Sequence, residues 1–407
     1  MTGQREIAAT WMRGGTSKGV FFDTRALPQG MASDAALRDR VLLRAIGSPD
    51  RYGKQIDGLG GATSSTSKVV LVGPASRTDC DVDYLFGAVA IEAPVIDWSG
   101  NCGNLSAAVG PFAIACGLVD APRDGMATVR IWQANIGKRI VAQVPMRDGQ
   151  VVEEGDFELD GLSFPGAAIR LDFLDPAGEE EGGGGGGALF PTGRAIDILE
   201  VPGAATVEAS LVDAGNPTVF VAAADLGLTG TESQGEINAN TELLARLEQL
   251  RAHAAVRMGL ARTAQEATES RPATPKLAWV APPVDHGVAG GRRVAAHEID
   301  LVARILSMGK LHHAMTGTGA VAIAAAAAVP GTVVSRIAPA KAGGSVRFGH
   351  ASGAIEVGAQ AERAPEGHWR IRRVSLSRSA RRLMVGAVCV PAACFEAAPA
   401  NSTNKEQ

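Results

Sequence analysis

Cys102 stands in GNCGNLSAAVG, Gly100 to Gly110, just ahead of a run of small residues whose spacing predicts a helix. A thiol at a helix N-terminus meets the positive end of the peptide dipole and several unpaired amides. That position lowers a thiol's pKa and also favours a bound carboxylate. Asn101, Gly103 and Asn104 flank it, and their small or amide-bearing side chains let a ligand come close to the backbone. A buried structural cysteine is the plainer alternative. It suits Cys80, Cys116, Cys389 and Cys394, which lie in apolar or strand-like surroundings. Asparagines and glycines are odd company for a core thiol, so Cys102 is read as functional.

Other stretches carry related chemistry. GGATSSTSKVV runs a loop holding Ser65, Thr66 and Ser67 straight into a strand through Lys68. Hydroxyls and amides of such a loop hold carboxylates or phosphates, although the GxxxxGK[ST] pattern is absent. A lysine at the strand's start, if partly desolvated, becomes a base near neutral pH; otherwise it is an ordinary surface lysine. MRGGTSKGVFF places Arg13, Thr16, Ser17 and Lys18 around a Gly-Gly turn. Two cations and two hydroxyls suit a polyanionic acid, and equally a hairpin turn with exposed charges. In KLHHAMTGTGAVAIA one helix is expected to end and another to begin. Met315 and Thr316 lead into Gly317, Thr318 and Gly319, whose amides form a second anion cradle at a helix start. His312 and His313 would point about 100° apart on a helix. A shared metal is not expected there, nor an HExxH-type site, and both are read as structural or pocket-lining.

The elements around these residues come from pattern. Strands are expected at IAATWM, GVFF, SKVVLVG, VDYLFGAVAI, VRIWQ and KRIVAQV, and later at TVEASLVDAG, TVFVAAADLG and residues 276–282. Leu243, Leu244, Leu247, Leu250, Ala254 and Met258 recur at helical spacing, giving a helix over 242–258. A second helix is expected near 298–308, and closing antiparallel strands in VRFGHASGAIEVGA and RIRRVSLSRSARRLMVGAVCVP. Residues 178–193, with six consecutive glycines, read as a mobile excursion or seam between halves. NCGNLSAAVGPFAIACG has an echo in MTGTGAVAIAAAAAVPG, which suggests two similar lobes, or only two helices of like composition.

Bulk composition narrows the partners. The 407 residues carry 46% hydrophobic but only 4% aromatic residues and 50 glycines, so the core is built from small aliphatics in close backbone contact. A net charge of −4 argues against nucleic acid. Five cysteines without a CxxC spacing suggest neither a disulfide framework nor a zinc site. No signal peptide or membrane span is read, and a soluble protein of the reducing cytoplasm is expected.

Taken together the motifs resemble the PrpF family of 2-methylaconitate cis–trans isomerases, which serve propionate breakdown by the methylcitrate route. The likeness runs in order from about Trp11 to Pro391 and includes ALFPTG, AGNPTVFV, RMGL, TPKLAWVAPP and LSMGKLHHAMTGTGAVAIA. It implies the diaminopimelate epimerase-like α+β fold: two pseudo-equivalent lobes, each a curled, mostly antiparallel sheet around a central helix, with the active site between them. The lobes are expected at 1–190 and 191–397, with a frayed tail at 398–407. In the epimerases two cysteines face the substrate, one at each helix start. Here Cys102 matches one of them and Thr316 stands at the other position, so two-thiol racemisation is disfavoured. The resemblance makes Lys68 the base of an allylic proton shift. Cys102 either returns the proton or shapes the pocket. Helix-start amides, with Arg13 and Lys18, hold the carboxylates, and Lys276 in TPK makes a further carboxylate contact. Arg347, His350 and Arg378 are read as surface charges of lobe-closing strands. A small tricarboxylate is the implied substrate, with no cofactor, no metal and a homodimer by family habit. A 4-oxalomesaconate tautomerase or another aconitate-type isomerase is the alternative, and a non-catalytic carboxylate-binding protein a more distant one.

Overall fold

The computed structural model of the chain describes residues 3–177, 188–202, 206–341, 344–365 and 367–396. The longer strands and helices of its first half are β1 (Gln4–Gly14), β2 (Ser17–Asp23), α1 (Ala35–Ile46), β3 (Lys68–Pro74), β4 (Val82–Val89), α2 (Ser106–Ala115), β5 (Gly125–Gln133), β6 (Lys138–Arg147) and β7 (Ile169–Ala177). Those of the second half are β8 (Val207–Ala214), β9 (Asn216–Ala222), α3 (Thr241–Arg257), β10 (Lys276–Ala281), β11 (Leu301–Ser307), α4 (Gly317–Ala328), β12 (Ser345–His350), β13 (Gly353–Arg363), β14 (Trp369–Arg378) and β15 (Ala380–Pro391).

The two halves repeat one pairing scheme. From β1 to β7 the neighbours are antiparallel, parallel, antiparallel, parallel, antiparallel and antiparallel. From β8 to β14 the senses follow in the same order. The sheets join where β14 pairs with β7. The last strand, β15, then runs antiparallel along β1. The first lobe is therefore completed by residues 380–391, and a cut at 190/191 is not one that the sheet follows.

Each sheet curls around one helix of small residues. Ser106–Ala113 of α2 and Gly317–Ala327 of α4 are all buried. Alanine, glycine and serine leave so little side chain that strands can approach from every direction, and the bulk comes from Phe21, Tyr84 and Phe112 on one side and Phe220 and Phe348 on the other. Helix α3 lies outside this core, with Leu243, Leu244, Leu247 and Leu250 against Trp279 and Val221.

Several expectations change. Residues 301–307 form the strand β11, not a helix, and every side chain in it is buried. LVARIL is a short apolar run, which periodicity alone does not assign; β10 and β12 on either side decide it. Of the glycine-rich seam, residues 178–187 lie outside the described residues, and so do the tail residues 397–407. The far end of the seam is packed rather than loose: Leu189 is buried and its carbonyl accepts from the Asp213 amide. Helix α1 is an addition to the expected elements; Asp34 caps it and Gly47, at φ +85°, ends it.

The starts of α2 and α4 meet backbone to backbone. A Cβ on Gly103 would lie 2.8 Å from both the carbonyl carbon of Gly317 and the amide nitrogen of Thr318. Gly103→Ala is therefore expected to destabilise the protein by about 1–3 kcal/mol, as overpacking does, and to cut activity by spreading the lobes. Gly386→Ala on β15, where no atom lies within 4 Å, is the control and should stay within about 0.5 kcal/mol of the parent. Urea denaturation reads both.

Candidate functional site

A small recessed cavity of about 20 Å³ lies where the two helix starts converge. Lys68 and Lys276 reach it from the first residues of β3 and β10. Each is 7% exposed. Both strands are buried on both faces: Val70 and Val72 of β3 and Ala278 and Val280 of β10 face the core around the two central helices, while Val69 and Leu71, and Leu277 and Trp279, pack into separate clusters behind, so the residue that opens each strand is drawn inside with it. The Lys68 amine sits 5.0 Å from the centre of the Phe86 ring. The Lys276 amine donates to the Ala273 carbonyl at 3.3 Å. Among the described residues no carboxylate forms an ion pair with either amine. Burial, and then the charge of Lys68, push the Lys276 ammonium down to about 8. Asp97 fixes the backbone that carries Lys276: its carboxylate accepts from the Ser99 and Ala273 amides, both at 2.8 Å.

Cys102 lines the same cavity, and its sulfur accepts weakly from the Leu105 amide at 3.5 Å. Asn101 and Asn216 lock the lobes together. The Asn101 amide donates to Asn216 Oδ1 at 2.7 Å, while Asn216 Nδ2 donates to the Asn101 carbonyl at 2.9 Å and to Thr318 Oγ1 at 3.1 Å. The side-chain nitrogen of Asn101 is buried with no acceptor, a free donor in the cavity wall. Thr316 also lines the cavity, but its hydroxyl accepts from the Gly319 amide at 3.1 Å as the cap of α4. That hydroxyl is committed to holding the helix.

Asn104 acts as a strut. Its Nδ2 donates to Thr16 Oγ1 at 3.0 Å and to the Met315 carbonyl at 3.2 Å, and its Oδ1 accepts from Arg378 Nε at 2.9 Å. Arg378 is thus not a surface charge; it is 2% exposed, and burial pushes its guanidinium down to about 10. His350 is no surface charge either; it is buried, and burial followed by nearby arginines pushes it down to about 3. Each closes its strand as an inward-facing end while other positions on the same strand face solvent. Arg347 is exposed.

Of the remaining expected residues, Ser17, Gly103, Gly317 and Thr318 line the cavity, and Arg13, Lys18, Ser65, Thr66, Ser67, Met315 and Gly319 do not. Arg13 donates to the Ser379 carbonyl and hydroxyl, at 2.8 and 3.1 Å, and faces a different surface cleft. The Lys18 amine lies 5.3 Å from the Trp11 ring centre. Alternation along the β1–β2 hairpin sends Ser17 inward and Lys18 away from it. Ser67 bonds Gln55 Oε1 at 2.6 Å, and Thr66 pairs with the Thr63 hydroxyl at 2.9 Å. Ser65 bridges the lobes, 3.1 Å from both His312 Nε2 and His313 Nδ1. These histidines follow a short strand instead of ending a helix, and their rings stack with centroids 4.7 Å apart. His312 Nδ1 accepts from the Ala314 amide at 3.1 Å, so its proton is on Nε2. Burial, then His313 and Lys68, hold it well below its usual range and therefore neutral. Asn216, Phe86, Ala88, Ala273 and Met308 are lining residues that the sequence motifs do not single out. Asn216 and Met308 have a signal, in AGNPTVFV and LSMGKLHH.

A polyanion entering this site would favour the charged form of Lys276. Its pKa would then rise from about 8 towards the ordinary 10.5, so between those values the complex holds more protons than the free protein. At about pH 9, binding of propane-1,2,3-tricarboxylate should draw protons from the buffer. The calorimetric enthalpy should then vary with buffer ionisation enthalpy, and Lys276→Met should abolish that variation.

Residues 4–391 match the family model described as PrpF protein. A 2-methyl-aconitate isomerase of Shewanella oneidensis is 56% identical over 391 residues, covering 95% of this chain and 98% of that protein. Among solved structures, methylitaconate-delta-isomerase superposes with a TM-score of 0.73 at 39% identity, over 98% of this chain and 99% of that one. A hydroxyproline epimerase from Agrobacterium vitis superposes at 0.55 with 14% identity, over 96% of this chain and 94% of that one, which is a likeness of fold alone. The two-lobed architecture is that of the diaminopimelate epimerase-like fold. Matched along nearly its whole length and this similar to a relative, the chain belongs to the PrpF family.

Proposed function

We propose that this protein is an isomerase of 2-methylaconitate, interconverting its cis and trans forms through an allylic carbanion. One observation carries the reading: two buried amines, unpaired with any acid among the described residues, face one cavity beside helix-start amides and the free donor of Asn101. Such a compartment is built for a molecule that brings several negative charges. The allylic C–H of an unsaturated tricarboxylate is weakly acidic, because the electrons left behind spread into the conjugated carboxylates. Lys68 is the base that takes that proton, and the helix-start amides with the second amine stabilise the dienolate. With the former double bond reduced in order, the skeleton rotates, and a proton returns to carbon. Phe86, Ala88, Ala273 and Met308 give the cavity an apolar wall suited to the methyl group, which favours 2-methylaconitate over an oxo-tricarboxylate. Cys102, Cys116, Cys389 and Cys394 are thiols rather than disulfides, which accords with a place in the cytoplasm.

The test is proton NMR of a panel of unsaturated tricarboxylates in D₂O. The expected result is interconversion of the 2-methylaconitate isomers with deuterium entering the allylic position. Lys68→Ala should lower the rate at least ~10³-fold in a protein that still unfolds cooperatively. Failure of the parent protein to isomerise or exchange any member of the panel overturns the reading.

A further inference from the structure

The pairing repeat places a lysine at the same point in each lobe. Lys68 opens β3, which runs parallel to β2 with Val69 beside Val20. Lys276 opens β10, which runs parallel to β9 with Leu277 beside Val219. Those registers also match Ser17 with Asn216, each three residues ahead of its paired valine. The abutting Gly103 and Gly317 match Cys102 with Thr316 in the same way. All three equivalent pairs line the single cavity.

We propose that Lys276 is the second acid–base group of the reaction, acting on the substrate from the face opposite Lys68. This rests on the isomerase reading. The C–H electrons pass into the conjugated system as the proton bonds to Lys68 Nζ. After rotation, the electron pair of the dienolate takes a proton from Lys276 Nζ, which closes the new C–H bond and leaves a neutral amine. The enzyme finishes with the proton on the other lysine and is reset by exchange with water or by turnover in reverse. Of the other groups in the cavity, Thr316 caps α4 and its hydroxyl is a poor proton carrier near neutral pH, while Cys102 stands on the same lobe as Lys68. Lys276 stands close enough to Lys68 to feel its charge, so the two amines share one compartment.

The test compares Lys276→Met and Lys276→Arg with the parent in D₂O, following isomerisation and allylic deuterium exchange separately. Binding of propane-1,2,3-tricarboxylate reports whether each variant keeps its site. In Lys276→Met, isomerisation should fall at least ~10²-fold while exchange driven by Lys68 persists within about tenfold. Lys276→Arg keeps the charge but holds its proton too tightly to give it up, and should not restore isomerisation. Near-parental isomerisation by the arginine variant would show a carboxylate contact only and overturn the proposal. So would an equal loss of exchange and isomerisation in a methionine variant that still binds the analogue. If the parent itself neither isomerises nor exchanges, the isomerase reading falls, and the lysine pair with it.

Discussion

The contact between Gly103 and Gly317 is the constraint on which the rest of the site depends. Two helices of opposed lobes can present their N-terminal amides to one point only if neither carries a side chain where they touch. Any Cβ there would press on backbone, which cannot swing away as a side chain can. The contact sets the separation of the strand starts on either side, and hence the distance across which Lys68 and Lys276 face each other. The small-residue helices serve the same end. Buried along nearly their whole length, α2 and α4 are axles around which each sheet curls, and their ends are fixed by the strands that enclose them.

Electrostatics explains why so many polar groups surround so small a space. Two lysine amines and the Arg378 guanidinium are removed from water here, which is costly for a charged group unless something negative answers it. The protein answers only in part, through carbonyls, the Phe86 ring and the Asn104 amide oxygen. His312, beside both lysines, is kept neutral, and its single proton orders the chain of bonds through Ser65 to His313. The remaining positive potential is what a tricarboxylate would neutralise, so part of the substrate's binding energy is stored as unrelieved charge in the free protein.

Much of this is legible in the sequence. The asparagines and glycines around Cys102, and the lysine at the mouth of a Ser/Thr loop, mark the site because those residue types are poor core material. The echo of the two helix starts marks the lobes. Side-chain direction is what the sequence does not carry. Arg13, Lys18 and the hydroxyls of residues 65–67 belong to the right segments, yet hairpin alternation and the Gln55 contact turn most of them elsewhere. Arg378 and His350 fail in the opposite sense, because the ends of their strands turn inward, Arg378 against Asn104 of the other lobe and His350 against Ser352 of its own. The helix expected over 298–308 fails because an apolar run of that length fits either period until its neighbours are known. Asn216 escapes notice because its role depends on a pairing across the lobes, which no local pattern records.

The size of the cavity adds a last step. About 20 Å³ has room for roughly one water molecule and not for six carbons with three carboxylates. Substrate therefore enters only when the lobes or their connecting loops part. The bonds that must yield bridge the lobes around the site: Asn101 with Asn216, Ser99 with Thr274, Asp97 with the Ala273 amide and Ser65 with His312. Each is worth about 0.5–1.5 kcal/mol net, so the set resists opening by only a few kcal/mol. That is weak enough to yield on the timescale of turnover and strong enough, once charge neutralisation is added, to close over a bound polyanion. Closure matters to the chemistry, since a neutral lysine and a carbanion both need water kept away. The aspartate that helps hold the lobes together also fixes the backbone leading into Lys276. Access to the site and the placement of its second amine therefore share one bond.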